Sequence, residues 1–274
     1  RHACTRTESI VDMALARALY GTHPYGLPAS TDSGLGATSR ADLVALHSAI
    51  VEPSRGMVLV VGDVDPDRVV RRLASRFADL PASEAPLPDV PAAPADPERR
   101  LLFVEHPTAE QASLGFGLLA IPRNHPEHTR LRVANQVFGG GASSRLFQVL
   151  REEQGLTYGV YSALDCGLHA GDIAATLSVA PEKTVSAFKA LMGELCRMTD
   201  EPAKEEEVQH AKRLLMGSFP QRASGLTGVA SLTTAAWLHG LPAEVWSTIV
   251  PRIADLTVAE VHDAACRWLA PDRA

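Results

Sequence analysis

The stretch REEQGLTY, from Arg151 to Tyr158, sets a guanidinium and a phenol seven residues apart across a single glycine, Gly155. A guanidinium offers a rigid fork of donors that matches a carbonyl or carboxylate oxygen, and a phenolic hydroxyl offers a single donor. The pair can converge only if the chain reverses between them. A glycine permits that reversal, because it enters the left-handed backbone region without a Cβ penalty. The bland reading of the same residues is a surface arginine paired with Glu152 or Glu153 and a tyrosine packed on its sheet.

The elements around the pair follow from pattern. Helices are expected over 126–137 and 143–153, and strands over 99–106, 111–120 and the two runs TYGVYSALDC and HAGDIAATLSVA within 157–180. Arg151 then stands at a helix end and Tyr158 at a strand start. Gly139-Gly140-Gly141 is not a phosphate cradle, since no Lys-Ser or Lys-Thr follows it. It is expected to end one helix in a left-handed turn and let Ser143 or Ser144 cap the next. NHPEH, from Asn124 to His128, reads as helix-start chemistry, with Pro126 at the first position and Glu127 in the first turn. A metal site on His125 and His128 lacks a visible third ligand.

The earlier part of the chain reads as a helix over 10–20, a second opened by Ser39 with Asp42 as its capping partner, a strand over 57–64 and a helix over 66–77. The later part reads as helices over 181–198, 203–219, 226–239, 242–254 and 257–269. Paired strands with grouped helices make the fold class α+β. Pro81 to Pro97 is rich in proline and alanine and cannot fill a core, so 81–98 reads as a linker between a first domain over 1–80 and a second over 99–274. Across it, SRADLVALHSAIVEPSR and TVAEVHDAACRWLAPDR share a hydroxyl cap, an acid three residues on and a closing Pro-x-Arg. Gly26-Leu27-Pro28 recurs as Gly240-Leu241-Pro242 at a similar offset, which points to an internal repeat.

Composition excludes several classes. The 274 residues carry a net charge of −6, 46% hydrophobic residues and a mean hydropathy near zero. No basic run supports nucleic-acid binding, and no apolar run reaches a membrane-spanning length. Four scattered cysteines, Cys4, Cys166, Cys196 and Cys266, make neither a disulfide framework nor a zinc knuckle.

GGGASSRLFQVLREEQGLTYGVYS, from Gly139 to Ser162, resembles the signature of the second domain of M16 peptidases, the family of pitrilysin, insulin-degrading enzyme and the mitochondrial processing peptidase. HPYG and VLVVGDVDPDRV resemble the family's first domain. The resemblance implies two homologous α+β domains closing on a cavity, the first of them partial here. It implies zinc on an HxxEH motif, which this sequence does not contain. It therefore implies no cofactor in this chain, with zinc on a segment ahead of Arg1 or on a partner subunit in a homo- or heterodimer. It also implies catalytic contacts from Arg151 and Tyr158 to a peptide substrate. The alternatives are a non-catalytic core subunit and a peptide-binding module of the same fold. The compartment stays open between bacterial cytoplasm and periplasm.

Overall fold

Every second residue of Gly171–Val179 is buried, so this strand has one face committed to a core. It is the centre of a three-stranded antiparallel sheet in the order β1-β3-β2, with β1 at Ala112–Ala120, β2 at Tyr161–Cys166 and β3 at Gly171–Val179. In register, β3 pairs Ala174 with Gly117 on one side and with Ala163 on the other. The chain's computed structural model describes residues 6–27, 31–51, 56–79, 89–94 and 99–274.

The two faces of the sheet meet different partners. Phe116, Leu118, Ile173, Ala175 and Leu177 enter the main core. The core is completed by helices α5 (His128–Phe138), α7 (Thr184–Asp200), α8 (Glu205–Arg222), α10 (Val245–Ala254) and α11 (Val258–Trp268). Leu131, Phe138, Leu146, Leu150, Leu195 and Leu269 are fully enclosed there, each worth about 1.5–3 kcal/mol of burial. On the opposite face β1 carries Gly115 and Gly117, and helix α1 (Thr7–Tyr20) lies directly on them. A Cβ on Gly117 would stand 2.9 Å from both Leu15 and Leu19, so the missing side chains set how close the helix comes.

The end of α1 is pinned to the same face. The Tyr20 hydroxyl donates to Asp172 Oδ2 at 2.7 Å. Burial pushes the Tyr20 phenol and the Asp172 carboxyl upward, so this bond sits in a dry setting. His23 of the HPYG turn is buried, and its Nδ1 accepts from the Tyr25 amide. The Tyr25 hydroxyl accepts from the Leu168 and His169 amides at 3.2 and 3.4 Å, which docks the turn onto the β2–β3 hairpin.

The glycine-rich turn works by close approach. Gly139 has φ −150°, not the left-handed conformation expected from sequence. A Cβ there would lie 2.7 Å from the Ser162 amide nitrogen. Without it, Ser162 N donates to Gly139 O at 2.8 Å, Ser162 Oγ donates to Asn135 Oδ1 at 2.7 Å, and Asn135 Nδ2 donates to Ser162 O at 3.2 Å. These bonds fasten the end of α5 to β2. Ser144 caps the short helix α6 (Arg145–Phe147), as expected for one of the two serines.

Arg145, 6% exposed, is anchored by a bidentate pair with Glu207 at 2.8 and 2.9 Å and a bond to the Arg197 carbonyl. Glu207 also accepts from the Lys204 amide at the start of α8. One carboxylate thus ties α6 to the first turn of α8.

Two expected strands do not form. Residues 57–64 and 99–106 are described without strand pairing. Val58 and Val60 are exposed, and Leu101 and Phe103 are 87% and 92% exposed. A β-branched run specifies an extended backbone, but a strand needs a neighbour to accept and donate its ladder bonds, and none of the described residues supplies one. Helices α2 (Asp32–Ala37), α3 (Arg40–Ile50) and α4 (Pro66–Phe77) form without burying a single residue. Most of the linker expected over 81–98 lies outside the described residues. Within 89–94 the chain is irregular, and Ala93 packs against the small cluster of Leu19, Tyr20, Leu119 and Ala170. The two segments read as a repeat carry the same device: Ser39 with Asp42 and Thr257 with Glu260 both form complete capping boxes.

Three outcomes check this description. Gly139→Ala should cost about 1–3 kcal/mol through overpacking against the Ser162 backbone, read as a shift in urea midpoint; an unchanged midpoint would remove the close approach. Burial raises the Glu207 pKa, but the Arg145 and Lys204 bonds outweigh it and hold the carboxyl below its usual range. Its contribution is therefore present above the unfolded pKa and lost as pH falls through the folded one. Glu207→Gln should cost about 3 kcal/mol at neutral pH and flatten the acid limb of stability against pH. Limited trypsinolysis should cut first at the exposed Arg99 or Arg100, with early cleavage inside α5 or α6 as the contrary result.

Candidate functional site

Beyond α6 the helix widens into a π-helical turn over Gln148–Glu153, with Gln154 N donating to Val149 O at 3.1 Å. Such single wide turns interrupt regular helices and recur at functional positions. Arg151 stands on this turn. Gly155 follows at φ +56°, the left-handed reversal expected from its place in the sequence. The chain then runs back past Tyr158 into β2.

The loop that carries Tyr158 is clamped at both ends. Lys183 Nζ donates to the Gly155 carbonyl at 2.9 Å. Thr157 Oγ1 donates to Ser178 O at 2.8 Å and receives the Gly159 amide at 3.3 Å. The backbone of Thr157 also bridges to Val179 of β3. Tyr158 is thus held by its neighbours while its own side chain is 89% exposed.

Arg151 and Tyr158 meet. The guanidinium carbon lies 4.9 Å from the centre of the Tyr158 ring and 4.8 Å from that of Phe147, distances at which a cation and an aromatic face attract. Phe147 in turn packs on Tyr161, with ring centres 5.4 Å apart. The ion pair foreseen in the bland reading is also present, with Arg151 Nε 3.4 Å from a Glu152 oxygen. It leaves much of the guanidinium's donor fork unused, since Arg151 is 36% exposed at its side chain and makes no other ion pair among the described residues.

Tyr158 and Tyr161 border an open cleft of about 610 Å³. Its floor is the sheet face beside α1, where Ser113, Thr176 and Ser178 present small polar side chains, and its far rim is Glu8 and Val11 of α1. Gly155 to Gly159 form the near wall. The arrangement offers hydroxyls and backbone groups along an extended path, with the Tyr158 phenol at one edge and Arg151 stacked behind it on the same ring.

The described residues do not fit a catalytic zinc. The sequence has no HxxEH, and among the described residues no group of three or more His, Cys, Asp or Glu side chains could hold a metal. The two histidines of NHPEH are otherwise engaged. His125 Nδ1 accepts from the Glu127 amide, and His128 Nδ1 accepts from Arg123 at 3.0 Å. Burial, with Arg123 next, holds His128 down at about 3, so it is neutral at pH 7. Glu127 binds Trp268 Nε1 at 2.9 Å and pairs with Arg267, which joins the start of α5 to the end of α11.

Sequence reasoning missed the supports. Thr157 and Lys183 carried no visible signal as clamps, and Phe147 was read as part of a motif without a role. The signal available for Phe147 was its helical spacing from Arg151, which puts the two on one face.

A family model described as the peptidase M16 inactive domain matches residues 37–215. An uncharacterized zinc protease of Mycobacterium tuberculosis is 32% identical over 215 residues, 77% of this chain and 49% of the relative. A non-peptidase homolog of Helicobacter pylori is 24% identical over 260 residues, 93% of this chain and 59% of that one. The crystal structure of a peptidase M16 inactive domain from Pseudomonas fluorescens superposes with a TM-score of 0.91 at 26% identity, covering 99% of this chain and 65% of that one. The chain therefore spans about half the length of the mycobacterial relative. The signature read between Gly139 and Ser162, the α+β fold and these matches agree: the chain belongs to the M16 peptidase family, in the part of it described as the inactive domain.

Proposed function

We propose that this chain supplies the substrate-contacting half of an M16-type peptidase, with zinc hydrolysis carried by another domain, on the same polypeptide or on a partner subunit. The observation that supports this most is Tyr158, held on a clamped loop at the edge of an open cleft with the Arg151 guanidinium stacked on its ring. A pair serving only the fold would be expected to bury the tyrosine, yet its ring and hydroxyl face solvent.

In this reading a peptide lies extended in the cleft against Thr176 and Ser178. As the scissile carbonyl becomes tetrahedral, the Tyr158 hydroxyl donates to the oxygen that gains charge. The Arg151 guanidinium holds a neighbouring substrate carbonyl and, by stacking, limits the orientations open to the exposed Tyr158 ring. Thr157 and Lys183 position the loop. The two domains read over 1–80 and 99–274 would be joined by the segment 81–98, with α1 seated on the second of them.

A second reading has support from one comparison. The Helicobacter relative is named a non-peptidase homolog and matches 93% of this chain, so the same fold serves without hydrolysis there. In that reading the Arg151–Glu152 pair is the arginine's whole role.

Tyr158→Phe separates the two. With the zinc-bearing domain supplied, the substitution should lower peptide turnover about 100-fold, roughly 3 kcal/mol of transition-state stabilisation, with a near-normal melting temperature and a modest change in KM. Arg151→Lys should lose more in KM, because an ammonium lacks the planar fork. Full turnover in folded Tyr158→Phe would favour the non-catalytic reading.

A further inference from the structure

Two side chains on the outer face of α11 stand where one cation can bridge them. His262 and Cys266 are four residues apart, so they share a face of the helix. Cys266 Sγ lies 3.5 Å from His262 Nε2, and the thiol donates to the Thr199 carbonyl at 3.4 Å. Thr199 is in the last turn of α7. The final carbonyls of a helix have no partner within it and carry the negative end of its dipole. Cys266 is exposed, so an ion in solution reaches the sulfur.

These spacings match a tetrahedral ion. Sulfur and nitrogen ligands of zinc, at about 2.3 and 2.0–2.1 Å from the metal, stand about 3.6 Å apart, and sulfur and oxygen ligands stand about as far. Cys266 Sγ therefore already keeps ligand-to-ligand distance from a nitrogen of α11 and an oxygen of α7. No third His, Cys, Asp or Glu side chain completes a metal cluster among the described residues, so the third donor is the backbone carbonyl. The surroundings favour a cation. Burial raises the Cys266 thiol first, and the Asp263 and Asp200 carboxylates raise it further. The same negative field attracts a positive ion. Arg267, the neighbouring cation in sequence, is paired with Glu127.

We propose that Cys266 Sγ, His262 Nε2 and the Thr199 carbonyl form a site for one tetrahedral divalent cation of the zinc class, with water in the fourth position, which clips α11 to the end of α7. As the metal–sulfur bond forms, the thiol releases its proton to solvent, and neutral His262 gives the lone pair of Nε2. Protons compete for both side chains, so affinity falls as the solution is acidified. None of these donors lines the cleft beside Tyr158, so the ion acts on the fold and not on the peptide.

The test uses the full chain, with its thiols kept reduced, and cobalt(II) as the probe. Cobalt in a tetrahedral thiolate site shows sulfur-to-metal charge transfer and intense visible bands. It should bind saturably with both signals and a stoichiometry near one, and zinc should displace it. Zinc should also raise the melting temperature saturably. Cys266→Ser should abolish the charge transfer. His262→Gln should weaken binding by about tenfold or more, since even the partners of metal ligands cost that much. Neither residue belongs to the core, so both variants should fold. Cys196→Ser on α7 and His239→Gln at the end of α9 (Gly225–Leu238) remove a thiol and an imidazole outside the site and should leave binding unchanged. Charge transfer that survives Cys266→Ser, an affinity unmoved in folded His262→Gln, or no charge transfer from the folded chain in excess cobalt would overturn the proposal.

Discussion

The approach of Gly139 to Ser162 is the constraint on which the site depends. Helix α5 ends against β2 because there is no Cβ at Gly139 to hold them apart, and the Asn135–Ser162 bonds close the contact. Strand β2 alternates its side chains, so fixing Ser162 inward fixes Tyr161 outward, onto the cleft. The segment from Gly155 to Val160 must then span from the π-helical turn to a β2 start whose place is already set. Where Tyr158 stands follows from that distance and from the clamps at Thr157 and Lys183.

The rest of the second half of the chain supports this geometry by tying helices together at their ends. Arg145 with Glu207 joins α6 to α8, and Glu127 with Arg267 and Trp268 joins α5 to α11. Each is a carboxylate near a helix start, where it also suits the helix dipole. On the outer face, α1 is seated by two glycines of β1 and locked by Tyr20 on Asp172. That contact forms one wall of the cleft from a helix far away in sequence.

Local signals were legible from sequence. The capping boxes at Ser39 and Thr257 and the reversal at Gly155 rest on chemistry within four residues, whereas the helix read from Pro126, with Glu127 in its first turn, begins at His128 with Glu127 as its N-cap. Non-local requirements were not. The runs 57–64 and 99–106 have strand composition but no ladder partner among the described residues, and pairing is a property of two segments. Gly139 was read as a left-handed turn when its requirement comes from Ser162, far along the chain. In the site, the types and spacing of Arg151 and Tyr158 and the helical spacing of Phe147 from Arg151 were readable, but the clamping of the loop depends on Ser178 and Val179 of β3 and on Lys183, just ahead of α7, which sequence spacing cannot bring together.

The most direct measurement of the central claim is where a bound peptide touches the protein. A substrate-length peptide carrying a photoreactive group can be cross-linked to the chain in the presence of its zinc-bearing domain, and the adducts mapped by mass spectrometry. Adducts concentrated within residues 155–161 and 176–179, and competed by unlabelled peptide, are the predicted result. Competable adducts confined to surfaces away from Tyr158 and the cleft would contradict it.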